Sequence, residues 1–462
     1  MSDELPKGWA SARLEEIVTK KKGKKPAILR DTPAEGFVPY LDIHAIEKNV
    51  VREYAEVKSS KIASKDDLFV VWDGARSGWV GGGITGAIGS TIMALTAQTV
   101  ESVYVRQFIA SQFKNLNTNT RGTGIPHVDP EVFWNLEVPL APLAEQRRIV
   151  AKLEKLLGQV DACQQRLEKL PKLLKRFRQS ILAAACSGRL TADWRKQNPK
   201  VESPDERVAA IAKINAGKSN REIERAKRIK TEEWFFDIKD ELPESWLQVN
   251  FMDVTWLITC GVAKRPNYVE KGIPFLSAQN AKPFKANLKE VKYISEQDFK
   301  TFTVGGKPEK NDILYSRVGA KFGEAAKVPF DFDFAIYVSL TLIKPIHELI
   351  DADFLVAYLN SYHGLVQAYG GVLGSGIQNL NVENVRRFRV PLPPLAEQQE
   401  IVRRVAGLFA LADQLEQRLA QARKQVDKLM PSLLARAFAG KLVPQDPNDE
   451  PAEKLLERIK CK

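Results

Sequence analysis

The feature that most constrains the fold of this chain is a thirteen-residue phrase that occurs twice. It reads "VPLAPLAEQRRIV" from Val138 and "VPLPPLAEQQEIV" from Val390, with ten identical residues at an offset of 252 positions. The same offset joins "GTGIPHVDPEVFWNLEVPL" to "GSGIQNLNVENVRRFRVPL" upstream, and "SILAAACSGRL" to "SLLARAFAGKL" downstream. The chain therefore contains two copies of one structural plan.

The repeat divides the 462 residues into segments that behave differently. Before each phrase the copies match only at islands such as "ELPKGW" and "ELPESW", whereas after it they match position for position. A chain of this length is too long for a single core. We predict a first globular domain over 1–142, a helix over 143–190, a charged connector over 191–240, a second globular domain over 241–394, a helix over 395–442 and a tail over 443–462.

Apolar residues at alternating spacings of four and three follow each phrase, which is the a/d seam of a coiled coil. These positions are Ile149, Leu153, Leu156, Val160, Cys163, Leu167, Leu170, Leu174, Phe177 and Ile181 in the first copy, and Ile401, Val405, Leu408, Ala412, Leu415, Leu419, Ala422, Val426, Leu429 and Leu433 in the second. The spacing predicts two helices of about 40 residues, roughly 60 Å long. Pro171 and Pro431 predict kinks late in their course.

Each of these helices needs an apolar partner, which is either its own globular domain or the other helix. A globular domain rarely covers a stripe of roughly 60 Å, so pairing of the two helices is favoured. Antiparallel pairing also lets the first helix end near the second globular domain, where the connector leads. We therefore predict an antiparallel coiled coil and a pseudo-twofold relation between the two copies.

The charge of the chain favours a polyanionic partner. The formal net charge is +12 and the isoelectric point is about 9.3. A solvated basic surface is the alternative, but nucleic acid is the commonest partner of such a surface. Basic residues recur in loops of both globular domains, and the candidate DNA-binding residues are Lys21, Lys22, Lys24, Lys25, Arg76, Arg121, Lys264, Arg265, Arg317 and Lys321. Of these, Arg76 and Arg317 are candidates for base contact, and the residues that suit phosphate contact are Lys21, Lys22, Lys24, Lys25, Lys264 and Arg265.

Several other classes of protein are not supported by the sequence. Four cysteines without paired spacing and four scattered histidines predict neither disulfides nor a metal site. The uncharged stretch 78–100 is rich in glycine and threonine, so we expect short strands there and a cytoplasmic protein without a membrane span. The sequence carries no N-P-P-[YF] motif, Walker A lysine or nuclease carboxylate–lysine cluster. We therefore expect no catalytic residues and no bound cofactor.

Two variable globular domains, each followed by "PLAPLAEQRRIV" or "PLPPLAEQQEIV" and a long helix, resemble the specificity subunit of a Type I restriction-modification system. The stretch "RFRQSILAAACSGRLTADWR" (176–195) resembles the enterobacterial branch of that family. The resemblance implies two target recognition domains, each contacting one half of a bipartite, asymmetric site in double-stranded DNA. It also implies that the helices are spacers.

The same resemblance implies partners for the helices. Two adenine methyltransferase (M) subunits would dock there and bring restriction (R) subunits with them. S-adenosylmethionine, ATP and magnesium would be bound by those partner subunits. Because the helix starts repeat without a gap, they are our candidate docking residues, namely Leu143, Glu145, Gln146, Leu395, Glu397 and Gln398.

The predicted fold class is mixed α/β, with two globular domains of small sheets and helices and two long antiparallel helices. A coiled-coil interaction protein without a DNA role is the first alternative, but it has no need of two divergent basic domains. An enzyme fused to its own DNA-recognition domains is the second, and the missing motifs argue against it.

Overall fold

The computed structural model describes residues 5–122, 124–230, 242–319, 322–370 and 379–461. The chain forms two compact units, one from Met1–Lys169 with Leu419–Lys462 and the other from Leu170–Arg418. We call them the first unit and the second unit. Each combines one globular domain with the beginning of the long helix that follows it and with the final part of the other long helix.

The globular domain of the first unit is built from short strands and helices. Its strands are β1 (Ala10–Arg13), β2 (Val18–Lys22), β3 (Leu29–Arg30), β4 (Phe37–Leu41), β5 (Tyr54–Glu56), β6 (Ile62–Ala63), β7 (Leu68–Val71), β8 (Val80–Gly82), β9 (Gly86–Ile88), β10 (Ile92–Ala97), β11 (Thr120–Arg121), β12 (His127–Val128) and β13 (Glu137–Leu140). Its helices are α1 (Leu14–Ile17), α2 (Ile43–Lys48), α3 (Ser102–Ser111), α4 (Phe113–Thr118) and α5 (Pro130–Trp134). The uncharged stretch 78–100 thus forms β8, β9 and β10, as its glycine-rich composition predicted.

Two sheets of this domain meet at β7. One sheet has the antiparallel order β2-β10-β7-β8, and the other has the order β3-β5-β4-β9-β6, with β4 and β9 parallel. Successive strand residues point to opposite faces. Accordingly, Leu68 and Val70 lie in one hydrophobic cluster while Phe69 and Val71 lie in another, and all four are buried. β1 pairs with β13, so the first strand of the domain lies beside the strand that leads into the long helix.

The first long helix continues through its internal proline and is followed by shorter helices. The helices are α6 (Leu143–Cys186), α7 (Ala192–Gln197), α8 (Pro204–Asn215) and α9 (Asn220–Lys230). The predicted connector is therefore largely helical in its described part. Ser203 begins α8 with a capping box, since its hydroxyl accepts from Glu206 N and the Glu206 carboxylate accepts from Ser203 N. Among the described residues, no helix is both long enough and apolar enough to cross a membrane.

The globular domain of the second unit repeats the plan of the first. Its strands are β14 (Leu247–Asn250), β15 (Thr255–Cys260), β16 (Ile273–Leu276), β17 (Ala281–Lys282), β18 (Lys285–Ala286), β19 (Lys292–Ile294), β20 (Ile313–Ser316), β21 (Ala325–Lys327), β22 (Ala335–Ile336), β23 (Leu340–Pro345) and β24 (Arg389–Leu392). Its helices are α10 (Glu296–Phe302), α11 (Ala352–Leu359), α12 (Tyr362–Gly370) and α13 (Val382–Arg386). The chain ends with the second long helix, α14 (Leu395–Phe438), and α15 (Ala452–Lys460).

The sheet orders of the two domains correspond. The sheet β15-β23-β20-β21 matches β2-β10-β7-β8, and the pair β14-β24 matches β1-β13. A parallel pair, β16 with β22, also corresponds to β4 with β9. The predicted fold class, with its internal repeat, is confirmed.

The two long helices run antiparallel within the second unit. Arg178 of α6 forms ion pairs with Asp413 and Glu416 of α14 at 2.5 and 2.7 Å. Asp193, just after α6, pairs with Arg404, which lies nearer the start of α14. Moving forward along one helix therefore means moving backward along the other, as predicted.

The same direction holds within the first unit. Ile149 and Leu153, near the start of α6, share a hydrophobic cluster with Leu434 and Ala437, near the end of α14. Further along α6, the Leu167 carbonyl accepts a hydrogen bond of 2.9 Å from Arg423. In a regular helix this carbonyl would accept from the amide of residue 171, which is a proline without an amide hydrogen. Arg423 thus satisfies the carbonyl that Pro171 leaves without its donor.

The predicted seam is buried only in part. Ile149, Leu153, Ile401 and Ala412 are fully buried. However, Leu170, Leu415 and Leu429 are 37%, 40% and 44% exposed. Leu173 and Leu411, which lie beside the seam, are also exposed. The helices therefore carry apolar surface that the described part of the chain leaves exposed.

Candidate nucleic-acid interface

The edge strand β2 presents lysines on both of its faces. Lys20 Nζ lies 4.6 Å from the ring centroid of Trp134, and Lys22 Nζ lies 5.7 Å from that of Trp72. The two lysines share a face because they are two residues apart. Lys21 points the other way and donates to the carbonyl oxygen of Ile62 at 2.9 Å. Two cations thus lie over aromatic rings, an arrangement in which the ring faces attract the charges.

The turn after β2 requires a glycine and exposes two more lysines. Gly23 N donates to the carbonyl oxygen of Ile92, and a Cβ on Gly23 would lie only 2.0 Å from the Gly89 carbonyl oxygen. Any other residue would clash there. Lys24 and Lys25 follow directly and are exposed. Their position suits the predicted contact with phosphates.

Asp73, at the end of β7, lies between two cationic or proton-bearing side chains. Lys22 Nζ is 3.0 Å from Asp73 Oδ2, and His127 Nδ1 is 2.8 Å from Asp73 Oδ1. Partial burial acts to raise the pKa of Asp73, but the hydrogen bonds and charges of His127 and Lys22 outweigh it and the pKa lies below its usual value. Asp73 is therefore an ionised acceptor. Among the described residues, no cluster of histidine, cysteine and carboxylate side chains could hold a metal ion.

Arg76 and Arg121 are exposed but engaged by carboxylates. Arg76 forms an ion pair of 2.8 Å with Glu47. Arg121 contacts Asp129 at 2.8 Å and Glu131 at 3.2 Å, and these partners raise its pKa. Such exposed pairs contribute little to stability and exchange readily with other anions. Both guanidinium groups therefore remain candidates for DNA contact.

The corresponding turn in the second unit is built around Gly261. Gly261 N donates to the carbonyl oxygen of Leu340, as Gly23 N does to Ile92, and a Cβ on Gly261 would lie 2.1 Å from the Ile336 carbonyl oxygen. The two glycines are therefore equivalent. Lys264 and Arg265 are exposed but lie three and four residues after their glycine, whereas Lys24 and Lys25 lie one and two residues after theirs. The two basic loops occupy the same place with the charges shifted by two residues.

Arg317 is placed differently from its prediction. It is 8% exposed, and its guanidinium donates to the carbonyl oxygens of Leu380 and Val338 and to Asn379 Oδ1 at 2.8, 3.2 and 3.1 Å. These bonds tie the end of β20 to two distant segments. Arg317 therefore holds the loop together, and its buried guanidinium is not presented for base contact. Lys321 lies outside the described residues.

The repeated helix starts are explained by contacts inside each unit. At the start of α6, Trp9 Nε1 donates to Glu145 Oε2 at 3.0 Å, and Glu101 N donates to Gln146 Oε1 at 3.1 Å. Gln146 also donates to the carbonyl oxygen of Ala141 at 2.8 Å. The glutamate and glutamine thus join the helix to Trp9 just before β1, to the start of α3 and to the loop that precedes α6.

The second helix start uses the same set of contacts. Trp246 Nε1 donates to Glu397 Oε2 at 2.9 Å, and Asp351 N donates to Gln398 Oε1 at 2.7 Å. Gln398 Nε2 donates to the carbonyl oxygens of Leu349 and Pro393, both at 2.9 Å. The phrases "LAEQ" and "ELP..W" therefore recur together because they form one clamp, which we call the Trp–Glu–Gln clamp.

The clamp changes the interpretation of the predicted docking residues. Glu145, Gln146, Glu397 and Gln398 are at most 1% exposed and cannot be reached by a partner. Leu143 and Leu395 are half-buried and alone keep accessible atoms among the six. The gap-free repetition of the helix starts thus has an internal cause.

Sequence reasoning missed several residues that organise these sites. Trp9 and Trp246 stood in a recognised repeat island, which was the signal available for the clamp. Asp73 and His127 are 54 residues apart in sequence, and their contact arises from an antiparallel bridge between them. The one signal in the sequence was that His127 and Asn379 are 252 residues apart, which makes them equivalent positions of the repeat.

Comparison with known proteins identifies the same family by a sequence model and by individual relatives. The model of the family described as "Type I restriction modification DNA specificity domain" matches residues 6–172 and again residues 252–423. The chain is 28% identical over 445 residues to the Type I restriction enzyme EcoBI specificity subunit of Escherichia coli, covering 92% of this chain and 86% of that one. It is 25% identical over 501 residues to the EcoKI specificity subunit of Escherichia coli strain K12, covering 99% and 96%.

Two solved structures resemble the fold. A chain from a study of complex assembly and conformational transition of the type I R-M system matches with a TM-score of 0.66 and 19% identity, covering 95% of this chain and all of that chain. The HsdS subunit from Thermoanaerobacter tengcongensis matches with a TM-score of 0.54 and 20% identity, covering 95% and 98%. At these identities the likeness concerns the fold.

Proposed function

Because this chain belongs to the Type I restriction-modification DNA specificity family, we propose that it selects the DNA target of such a system without performing catalysis itself. In this proposal each globular domain contacts one half of a bipartite, asymmetric site. The long helices hold two adenine methyltransferase subunits, and restriction subunits join through them. Its relatives are specificity subunits of Type I restriction enzymes, and the target and partners of this chain are our inference.

One observation carries the proposal above the others. The two domains share sheet order and the Trp–Glu–Gln clamp, yet their exposed side chains differ at equivalent positions. Position 127 of the first domain is an exposed histidine, and the equivalent position 379 of the second is an exposed asparagine. A fold that is kept while its loops diverge suits the recognition of two different half-sites.

The chemistry of the system is assigned to the partner subunits. The sequence lacks the motifs that adenine methylation and nucleotide hydrolysis require. S-adenosylmethionine, ATP and magnesium would accordingly be bound by the M and R subunits. This chain would contribute base and phosphate contacts, which select a sequence without making or breaking bonds.

The proposed docking surface lies on the exposed leucines of the helices. Within the second unit, Leu173 of α6 is 53% exposed, and Leu411 and Leu415 of α14 are 46% and 40% exposed. Leucines in this number and exposure on a helix pair favour cover by another protein. This surface replaces the buried glutamate and glutamine side chains as the docking site that we propose.

A domain exchange tests the DNA part of the proposal. Cells that carry the complete system would express this chain with residues 1–142 replaced by the matching segment of another family member. We expect methylated-site sequencing to show a change in one half of the target and an unaltered second half. Change in both halves, or a continuous target in the native system, would contradict the proposal.

A charge substitution tests the docking part. L411D/L415D should strongly reduce co-purification of the methyltransferase subunit, because a carboxylate buried in an apolar interface loses its hydration. The matched control is Q417D, which places a carboxylate at an exposed polar position of the same helix. If both variants co-purify the methyltransferase subunit at the wild-type level, this surface is not the docking site. Loss with the control as well would point to general disruption of α14.

A further inference from the structure

We propose that His127 and Asn379 are base-contacting residues that each set one position in one half of the DNA target. This inference rests on the proposed function and names the side chains that carry it out. The two residues occupy equivalent positions, 252 residues apart, and neither belongs to the basic loops.

The same backbone feature presents both side chains. His127 forms an isolated antiparallel bridge with Asp73, and Asn379 forms one with Val318. Asp73 and Val318 are themselves equivalent, since each is the second residue after the end of β7 or β20. Each bridge thus brings one polar side chain to the end of the central strand of its domain. Both side chains are exposed, His127 by 47%.

The imidazole of His127 is held in one orientation. Its Nδ1 lies 2.8 Å from the carboxylate of Asp73, which Lys22 contacts from the other side. An ionised carboxylate only accepts, so Nδ1 carries a hydrogen, and the neutral form of the ring then presents Nε2 as an acceptor. Gly122 leaves room for the ring, because a Cβ there would lie 3.1 Å from His127 Cδ2. Among the described residues, no hydrogen bond to Nε2 is formed.

The amide of Asn379 is held in the same way by a different neighbour. Arg317 Nη2 donates to Asn379 Oδ1 at 3.1 Å, and Arg317 is fixed by the carbonyl oxygens of Leu380 and Val338. A guanidinium only donates, so it must face the oxygen of the amide. The Nδ2 group is then presented as a donor. Each domain therefore uses a charged residue to orient the side chain at this position.

These orientations favour bases over phosphates for His127. A phosphate oxygen is an acceptor and cannot bond to Nε2 of the neutral ring, whereas the exocyclic amino group of adenine or cytosine is a donor in the major groove. The donor of Asn379 suits an acceptor such as guanine O6 or N7, adenine N7 or thymine O4. Lys24, Lys25, Lys264 and Arg265 lie in the neighbouring basic loops of their domains, where they suit the phosphates. The two half-sites should thus require opposite hydrogen-bonding groups at these positions.

The test is methylated-site sequencing in cells that carry the complete system with H127A or N379A. We expect each variant to relax one base position by about tenfold, within the half-site of its own domain, and to leave the other half-site unchanged. H347A is the matched control, since His347 is an exposed histidine outside both bridges. It should leave the whole target unaltered. H127Q serves as a second variant if H127A accumulates poorly.

Asp73 provides an independent readout as a positioning residue. D73A should relax the same base position as H127A, and the double variant should relax it no further. A uniform loss of methylation at all sequences, or unchanged preference at every position in H127A and N379A, would overturn the inference. A wild-type system with no defined target would overturn the proposed function instead.

Discussion

The Trp–Glu–Gln clamp occurs twice in this molecule, but its two glutamates have different surroundings. Glu397 Oε1 accepts from Thr191 Oγ1 at 2.6 Å and from Arg195, whose guanidinium also lies 5.8 Å from the Trp246 ring. Glu145 Oε1 has no hydrogen-bond partner among the residues that the structure describes, although Glu145 is as deeply buried as Glu397. The charge of Glu397 is therefore balanced by Arg195, whereas Glu145 retains part of its desolvation cost.

The difference originates in the segments that follow the helices. At the offset of 252, Thr191 and Arg195 correspond to Val443 and Pro447, which offer the equivalent glutamate no polar side chain. In the first unit a different pair forms, since Arg148 contacts Asp449 at 2.5 Å. Accordingly, burial raises the pKa of Glu145, and the Trp9 hydrogen bond and Arg148 lower it only in part. A repeated motif does not guarantee a repeated electrostatic environment.

The largest expected effect tests the neutralised side of this comparison. E397Q keeps an acceptor for Trp246 but removes the charge that Arg195 pairs with, and we expect it to destabilise the second unit by about 3 kcal/mol. Hydrogen exchange of the full chain, followed at residues 395–418, measures the change. The first unit should be unaffected, because Thr191, Arg195 and Trp246, which contact Glu397, all belong to the second unit. Equal loss of protection in both units would contradict the assignment.

A second prediction concerns Pro171 of α6 and Arg423 of α14, which occupy equivalent positions of the repeat, 252 residues apart. R423A leaves the Leu167 carbonyl without its donor and should cost about 2 kcal/mol in the free energy of unfolding. P171A restores the missing amide hydrogen. In the P171A background, R423A should therefore cost clearly less. A double-mutant cycle by chemical denaturation measures the coupling, and strict additivity would show that Arg423 does not serve this carbonyl.

The third prediction addresses the glutamate without a full set of partners. E145Q should stabilise the first unit near neutral pH by about 1 kcal/mol, because it removes a buried charge and keeps an acceptor for Trp9. The folded protein binds the Glu145 proton more tightly than the unfolded chain does, so this group makes stability fall as pH rises from its ordinary pKa to the raised one. E145Q should remove that slope. Denaturation of both proteins over a pH series measures it, and a variant less stable than wild type at neutral pH would contradict the expectation.

The smallest expected effect compares the two basic loops. Each of K24A, K25A, K264A and R265A should reduce the dependence of DNA affinity on salt by about one unit of slope, with the sequence preference unchanged. K310A is a control at an exposed, ion-paired lysine outside these loops. Binding of the assembled complex to its target over a salt series measures the slopes. A change of base preference in any loop variant would make that residue a base contact.

Periodicity predicted the long helices because the a/d spacing depends only on neighbouring positions in one helix. Ile149 and Ile401 are buried as the spacing required. Leu170 and Leu415 satisfy the same spacing but are exposed, because burial also depends on how closely a partner approaches at that level. The sequence pattern identifies the apolar face and cannot state where it is covered.

The candidate site depended on contacts that sequence proximity does not encode. Arg317 stands in a basic loop, yet it is fixed by carbonyl oxygens 21 and 63 residues away. A glutamate in a first helical turn has an ordinary explanation in the helix dipole, so nothing local identified Glu145 or Glu397 as tryptophan partners. The equivalence of Gly23 and Gly261 also shifts the loop alignment by two residues, since the strand register decides it.

The composition of the first unit has a consequence for biosynthesis. Its hydrophobic cluster includes Leu434, Ala437, Leu455 and Ile459, and Ala452 N donates to the carbonyl oxygen of Gly8 at 2.9 Å. The ribosome makes residues 1–169 before the second unit and these side chains after it. The second unit has all of its residues available by position 418. The domain that emerges first should therefore complete its core second. Until then its exposed apolar surface can aggregate, and protection from aggregation depends on chaperones or on fast elongation.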